Sequence, residues 1–239
     1  MLSNLAPLAL VLAQAPAPTL VLRNARVFDP EAQTLHAPAD LWIAGERVLG
    51  ERPLGTPTPA SVEVRDVAGA TLLPGLFDLH VHVAVAGSGM DAFARLQRED
   101  NLRSQLYCGV THVVDLHDDQ AAVFATRERS RTEPDLARLH CAGAAFTAPG
   151  GHGTQFGIPA NAVTTVAEVN QCFDELAPLR PDVIKAILEH GEWGPVPKLP
   201  TLDATLFDAV AARARAAKLP LFAHVWTLDE ARTAVEHGA

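Results

Sequence analysis

The chain is short of everything that would make it a disulfide scaffold, a nucleic-acid binder or a membrane protein. Its three cysteines, Cys108, Cys141 and Cys172, are each more than thirty positions from the next. There is therefore no CxxC pair, no zinc knuckle and no disulfide framework, and buried thiols are expected. Lys and Arg number 19 against 28 Asp and Glu, a formal net charge of -9 and a pI near 5.5. No dense basic run offsets this, which excludes nucleic acid and anionic membrane surfaces as main partners and leaves small molecules. Beyond the N-terminus no stretch is apolar enough to cross a bilayer. What is present is a globular composition, 48% hydrophobic and 20% charged.

The string NLAPLALVLAQAPAP holds a nine-residue apolar run, Leu5 to Ala13, with Ala13 and Ala15 as a small-residue cleavage pattern. This suits a signal peptide and a periplasmic or secreted protein, although no Lys or Arg precedes the run and Pro16 opposes cleavage after Ala15. The alternative is a disordered leader on a cytoplasmic protein. In either case residues 1–18 form a leader and linker. Residues 19–70 show short alternating runs (TLVLRNARVFD, ADLWIAGERVLG, SVEVRDVAG) broken by turn residues, a small antiparallel β unit. From residue 71 to 239 apolar strand-like runs alternate with longer helical segments, the pattern of βαβ units on a parallel sheet. The five predicted strands are TLLPGLFDLHVHV, VTHVVDL, ARLHCAG, DVIKAIL and LPLFAHV. Helices are expected over 91–107, 119–131 and 165–177, then one striped by Leu206, Val210, Ala214 and Ala217, and a last one capped by Thr227 with Glu230. A long Gly/Pro-rich loop, AAFTAPGGHGTQFGIPANAVT, follows the third strand, and loops of that length in compact domains are usually functional.

Side chains two apart on a strand share a face, so Asp78, His80 and His82 project together near the C-terminal end of the first strand, where two imidazoles can share a metal. Lys185 sits inside PDVIKAIL, a strand covered on both faces in a parallel sheet, where an uncompensated ammonium is costly. It is a candidate for altered protonation or modification, unless its stem is buried and its amine snorkels to the rim. His224 ends the fifth strand. Every suspicious polar residue thus lies in a strand, and three lie at its C-terminal end, where parallel barrels site their chemistry.

The string LLPGLFDLHVHV resembles the Pro-Gly-(hydrophobic)-(hydrophobic)-Asp-x-His-x-His signature of the metal-dependent amidohydrolase superfamily. CGVTHVVDLH is similar to that family's second strand. PDVIKAIL and PLFAHVWTLDEARTAVEHGA look most like its imidazolonepropionase-like and Xaa-Pro dipeptidase-like branch. The resemblance implies a (β/α)8 TIM-type barrel beside a small β-sandwich-like composite domain. It implies that His80 and His82 hold one divalent metal, and that Lys185, carboxylated by CO2, bridges to a second held by His224, both metals being zinc. It implies hydrolysis of an amide or other C-N bond in a dipeptide, N-acyl compound or cyclic amide. His152 of the Gly-Gly-His-Gly segment would face the substrate, and Trp193 would be an apolar wall or a cover. Asp78, Asp115, His112 and His117 would have hydrogen-bonding or structural duties.

The family's strand-six histidine and strand-eight aspartate, the proton-transfer base, have no counterpart in this sequence, so no catalytic base is assigned. The segment from 71 onward corresponds to about five and a half of the eight units of a roughly 250-residue barrel. The expectation is a truncated product or a natural short form, whose open strand edge invites aggregation or pairing, and with it a homo-oligomer. Two alternatives stay open: a catalytically incomplete metal-binding fragment, and a mononuclear deaminase in which Lys185 is structural.

Overall fold

A computed structural model describes residues 16–85 and 97–239. The apolar leader of residues 5–13 and the first part of the helix expected over 91–107 lie outside the described residues. The chain divides after Pro74 into two compact units.

The first unit is built on β1 (Leu20–Asp29), joined by β2 (Thr34–Leu35), β3 (Ala39–Ala44), β4 (Arg47–Arg52), β5 (Glu63–Asp66) and β6 (Thr71–Leu72). β1 runs antiparallel to β2 and β3, and β3 to β4, but β5 and β6 lie parallel to β1. The expected purely antiparallel unit is therefore mixed. The excursion through β2, β3 and β4 is long enough to return the chain in the direction of β1, which a tight hairpin cannot do. Val21, Trp42 and Val62 form its core, and the Arg52 guanidinium lies 4.0 Å from the Trp42 ring centroid.

The second unit alternates β7 (Leu76–Val81), α1 (Arg98–Tyr107), β8 (Val110–Asp115), α2 (Gln120–Ser130), β9 (Arg138–Cys141), β10 (Phe146–Thr147), β11 (Asn161–Ala162), α3 (Val166–Leu176), β12 (Ile184–Ile187), α4 (Ala204–Ala217), β13 (Leu221–His224) and α5 (Leu228–Glu236). All its ladder pairings are parallel, in the orders β7-β8-β9 and β11-β10-β12-β13. Between the ladders, Asp182 donates its backbone N–H to the Cys141 carbonyl at 3.0 Å and accepts from the Cys141 N–H at 3.0 Å. The core joins Phe146, Phe173, Ile184 and Phe207 with aliphatics from the strands and from α1, α2, α3 and α4. The capping boxes at Thr165 with Glu168 and at Thr227 with Glu230 are both formed. Among the described residues no helix is long and apolar enough to cross a membrane.

Three sequence expectations need correction. The run TLLPGLFDLHVHV is not one strand: Thr71 and Leu72 pair with β1, and a new strand starts only after Pro74-Gly75, because proline cannot donate to the ladder. The buried face of α4 carries Phe207 and Ala211 with Leu206, Val210 and Ala214, while Ala217 is exposed. Of the thiols only Cys141 is buried; Cys172 is half-buried, and Cys108, where α1 ends, is exposed.

Gly75 is held by close approach. A Cβ built there would lie 2.1 Å from Thr111 Oγ1. Gly75→Ala should cost about 1–3 kcal/mol through overpacking, read as a lower urea midpoint. Thr111→Ser in the same background should recover part of the loss by removing the Thr111 methyl, 2.4 Å from that Cβ.

Candidate metal centre

The chemistry-bearing side chains of the second unit converge at the C-terminal ends of the parallel strands. His82 follows β7, His117 follows β8, His152 lies in the loop after β10, Lys185 lies within β12, and His224 ends β13. These five line one cavity whose remaining wall is apolar, with Val85, Phe156, Ile158 and Ile187. His80 stands beside His82, ring centroids 5.4 Å apart and nearly perpendicular. The ladder between β7 and β8 slips by one residue between Asp78 and Val81, so a bulge falls on Leu79-His80 and re-aims the pair.

The backbone around these histidines is fastened from several sides. Asp115, fully buried, accepts from the Val83 N–H at 2.7 Å and from the His117 N–H at 3.0 Å, tying the segment after β7 to that after β8. Burial and the neighbouring Asp118 push its carboxyl up to about 7. Arg98 at the start of α1 donates twice to buried Asp118, at 2.7 and 2.6 Å, and Asn101 donates to the Val83 and Val85 carbonyls. Among the described residues Asp78 accepts only from the His80 N–H, at 3.1 Å, a local turn contact. The Gly-Gly-His-Gly segment owes its form to close packing. Gly153 has φ 96°, and a Cβ there would come within 2.9 Å of Ile187.

The imidazoles are kept neutral. Desolvation by its surroundings, then the charges of Lys185, His82 and His224, hold His80 down at about 4, although the residue itself is exposed. Burial also lowers His82, His117, His152 and His224. The His82 Nδ1 donates to the His117 carbonyl at 3.2 Å, which fixes the tautomer and leaves the Nε2 lone pair available. His117 is itself committed: its Nδ1 accepts from the Ala145 N–H at 3.1 Å and its Nε2 donates to the Gly153 carbonyl at 3.2 Å. Lys185 is 3% exposed, and among the described residues it makes no ion pair or hydrogen bond. Burial alone brings its amine down to about 8.

The sequence reading missed Glu189. It follows DVIKAIL in the string LEHGEW, where an acid looks like a solvated loop residue, yet it is 1% exposed and faces His224 and His152. The only signal was its position two residues past a strand end. Trp193, expected as a wall or cover, does not line the cavity: it stacks on Trp226 at 4.6 Å and its Nε1 donates to Glu189 Oε1 at 2.5 Å. His140, His190 and His237 each lie near a carboxylate and do not line the cavity, and His36 of the first unit pairs with Glu51. His112 stacks between Phe77 and His140.

No family model matches the chain. It is 31% identical over 120 residues to adenine deaminase 2 of Bradyrhizobium sp. (strain ORS 278), over 49% of this chain and 20% of that protein. A prolidase solved with N-methylphosphonate-L-proline superposes with a TM-score of 0.77 at 24% identity, covering 92% of this chain and 59% of that one. A Xaa-Pro dipeptidase with bound methionine gives 0.74 at 19% identity, covering 92% and 60%. The proteins that this chain resembles in sequence and in fold are members of the amidohydrolase superfamily. Its mixed α/β architecture is that of their barrel-bearing members. The chain spans less than two thirds of the length of each of these relatives.

Proposed function

We propose that this chain carries the metal-binding strands of a hydrolase that cleaves an amide or other C-N bond in a small molecule. The observation that carries this reading is that His82, just after β7, and His224, at the end of β13, line one cavity with the buried Lys185, which among the described residues has no ion-pair partner. The donor set fits divalent metals, two zinc ions in the fullest form: His80 and His82 would hold one, His224 a second, and Lys185 would join them once carboxylated. The neutral amine of Lys185 adds to CO2, forming an N–C bond and releasing one proton, which turns a buried cation into a carboxylate-like ligand. When bound, the metals supply water of lowered pKa and polarise the scissile group. His117 holds the His82 ring through its carbonyl, and Asp115 holds the backbone of both segments. Phe156, Ile158, Ile187 and Val85 exclude water and receive an apolar side chain or a prolyl ring.

The deaminase relative favours a second reading, a single metal with an unmodified Lys185. Export of the protein to the periplasm also remains a proposal, resting on the apolar leader.

Zinc-reconstituted protein should bind divalent metal and hydrolyse members of an Xaa-Pro and N-acyl peptide panel, with adenine as the deaminase arm. A well-folded preparation that holds no divalent metal after growth in zinc, and is unaltered by His80→Ala, would sink the proposal.

A further inference from the structure

Glu189 presents a problem that its hydrogen bonds leave unsolved. A carboxylate 1% exposed needs a positive counterpart, and among the described residues no Lys or Arg pairs with it. Its Oε1 accepts from the Trp193 indole at 2.5 Å. Its Oε2 meets two imidazoles, His224 Nε2 at 2.7 Å and His152 Nδ1 at 3.2 Å. The rings of His152 and His224 stack at 4.5 Å and 13°, so two ring nitrogens converge on one oxygen from the same side. One ligand atom from each of the three residues lies within 4.8 Å of the others. Both histidines line the cavity, so the group opens onto space an ion can enter.

We infer that His152, Glu189 and His224 form a divalent-cation site of the zinc type, adding two ligands, Glu189 and His152, to those assigned above. Zinc binds imidazole nitrogen and carboxylate oxygen at about 2.0–2.2 Å, which in a tetrahedron puts donors roughly 3.3–3.5 Å apart. The His152 nitrogen, 3.2 Å from Oε2, is already close to that spacing, and the His224 nitrogen, 2.7 Å from it, would have to draw back by roughly 0.6–0.8 Å. Binding needs the loss of the His224 N–H contact to Oε2, through a tautomer change that frees its lone pair, and a rotation of one of the two stacked rings so that both in-plane lone pairs reach one ion. The Gln155 amide, 3.3 Å from His152 Nδ1, would swing away in the same step. Trp193 would keep the far carboxylate oxygen oriented, as partners behind a metal ligand commonly do. Three protein ligands with an open fourth position is the pattern of a working rather than a sealed zinc site.

The inference rests on the proposed function only in sharing His224, and the experiment separates the two. Apoprotein of the full chain is titrated with Co2+, followed by visible absorption and by metal content after dialysis. His80→Ala/His82→Ala should still bind cobalt with a ligand-field band, and adding Glu189→Gln should weaken that binding at least about 100-fold. A triple variant that binds as tightly as the double variant overturns the inference. So does a double variant that binds no cobalt. If instead the double variant matches wild type and Glu189→Gln alone removes all metal, this inference stands and the His80/His82 assignment fails. Thermal unfolding of each variant checks folding. His152→Asn, on a loop, carries the same test if Glu189→Gln does not fold.

Discussion

Lys185→Met should make the metal-free protein more stable and the metal-loaded protein less so. Drawing the amine from its ordinary 10.5 to about 8 means that the folded state pays about 3 kcal/mol to hold it charged. Methionine fills similar volume without a charge to bury, so the variant should unfold roughly 5–10 °C higher without metal. The pH dependence has a definite sign. Between about pH 8 and 10.5 the unfolded chain still binds the proton that the folded chain has released, so stability of the metal-free wild type rises across that window. Lys185→Met should abolish that rise. It should also remove the share of the zinc-induced gain in melting temperature that a carbamate bridge supplies, because no carbamate can form. Calorimetry with and without zinc at pH 7 and pH 10 reads all of these effects; a Met variant less stable than wild type without metal would show that Lys185 is compensated.

The second large effect is expected at His80 and His82. His82→Ala removes a ring whose tautomer is already set by the His117 carbonyl, and His80→Ala removes the neighbour whose pKa is held at about 4. Either change should weaken zinc binding at the His80/His82 site by more than about 100-fold, since even partners behind a ligand cost 10–100-fold. Folding should be spared, because neither ring makes a buried hydrogen bond that the core depends on. Equilibrium dialysis with zinc, paired with thermal unfolding of the apoproteins, separates loss of metal from loss of structure. Hydrolysis of any substrate found in the peptide panel should fall with metal content.

The elements carrying the site were legible because their signals are local. Thr165-Val-Ala-Glu168 and Thr227-Leu-Asp-Glu230 announce helix starts, since each box satisfies its own terminal N–H groups. The His-x-His pair was legible as a spacing at a strand end, although the bulge at Leu79-His80 breaks the alternation that would put both rings on one face and only His82 lines the cavity, and Lys185 stood out as an ammonium inside an apolar run. What stayed hidden depends on contacts distant in sequence. Glu189 is buried only because His224, 35 positions later, and the Trp193 indole reach it. The mixed first unit was missed because strand direction is decided by what the connection spans, and no alternation pattern records that. The division of the run around Pro74-Gly75 could have been read from the proline itself. The buried face of α4 is wider than the expected stripe, taking in Phe207 and Ala211, while Ala217, eleven residues and so about three turns from Leu206, shares that face but lies at the exposed last position of the helix.

Anomalous diffraction at the zinc edge, from crystals of the zinc-reconstituted full chain, tests the central claim most directly. The account predicts a zinc peak within about 2.0–2.2 Å of ring nitrogens of His80 and His82, a second beside His224, and density extending past Lys185 Nζ toward both. Zinc bound only at exposed carboxylates, or no peak at the strand ends of β7, β12 and β13, would contradict it.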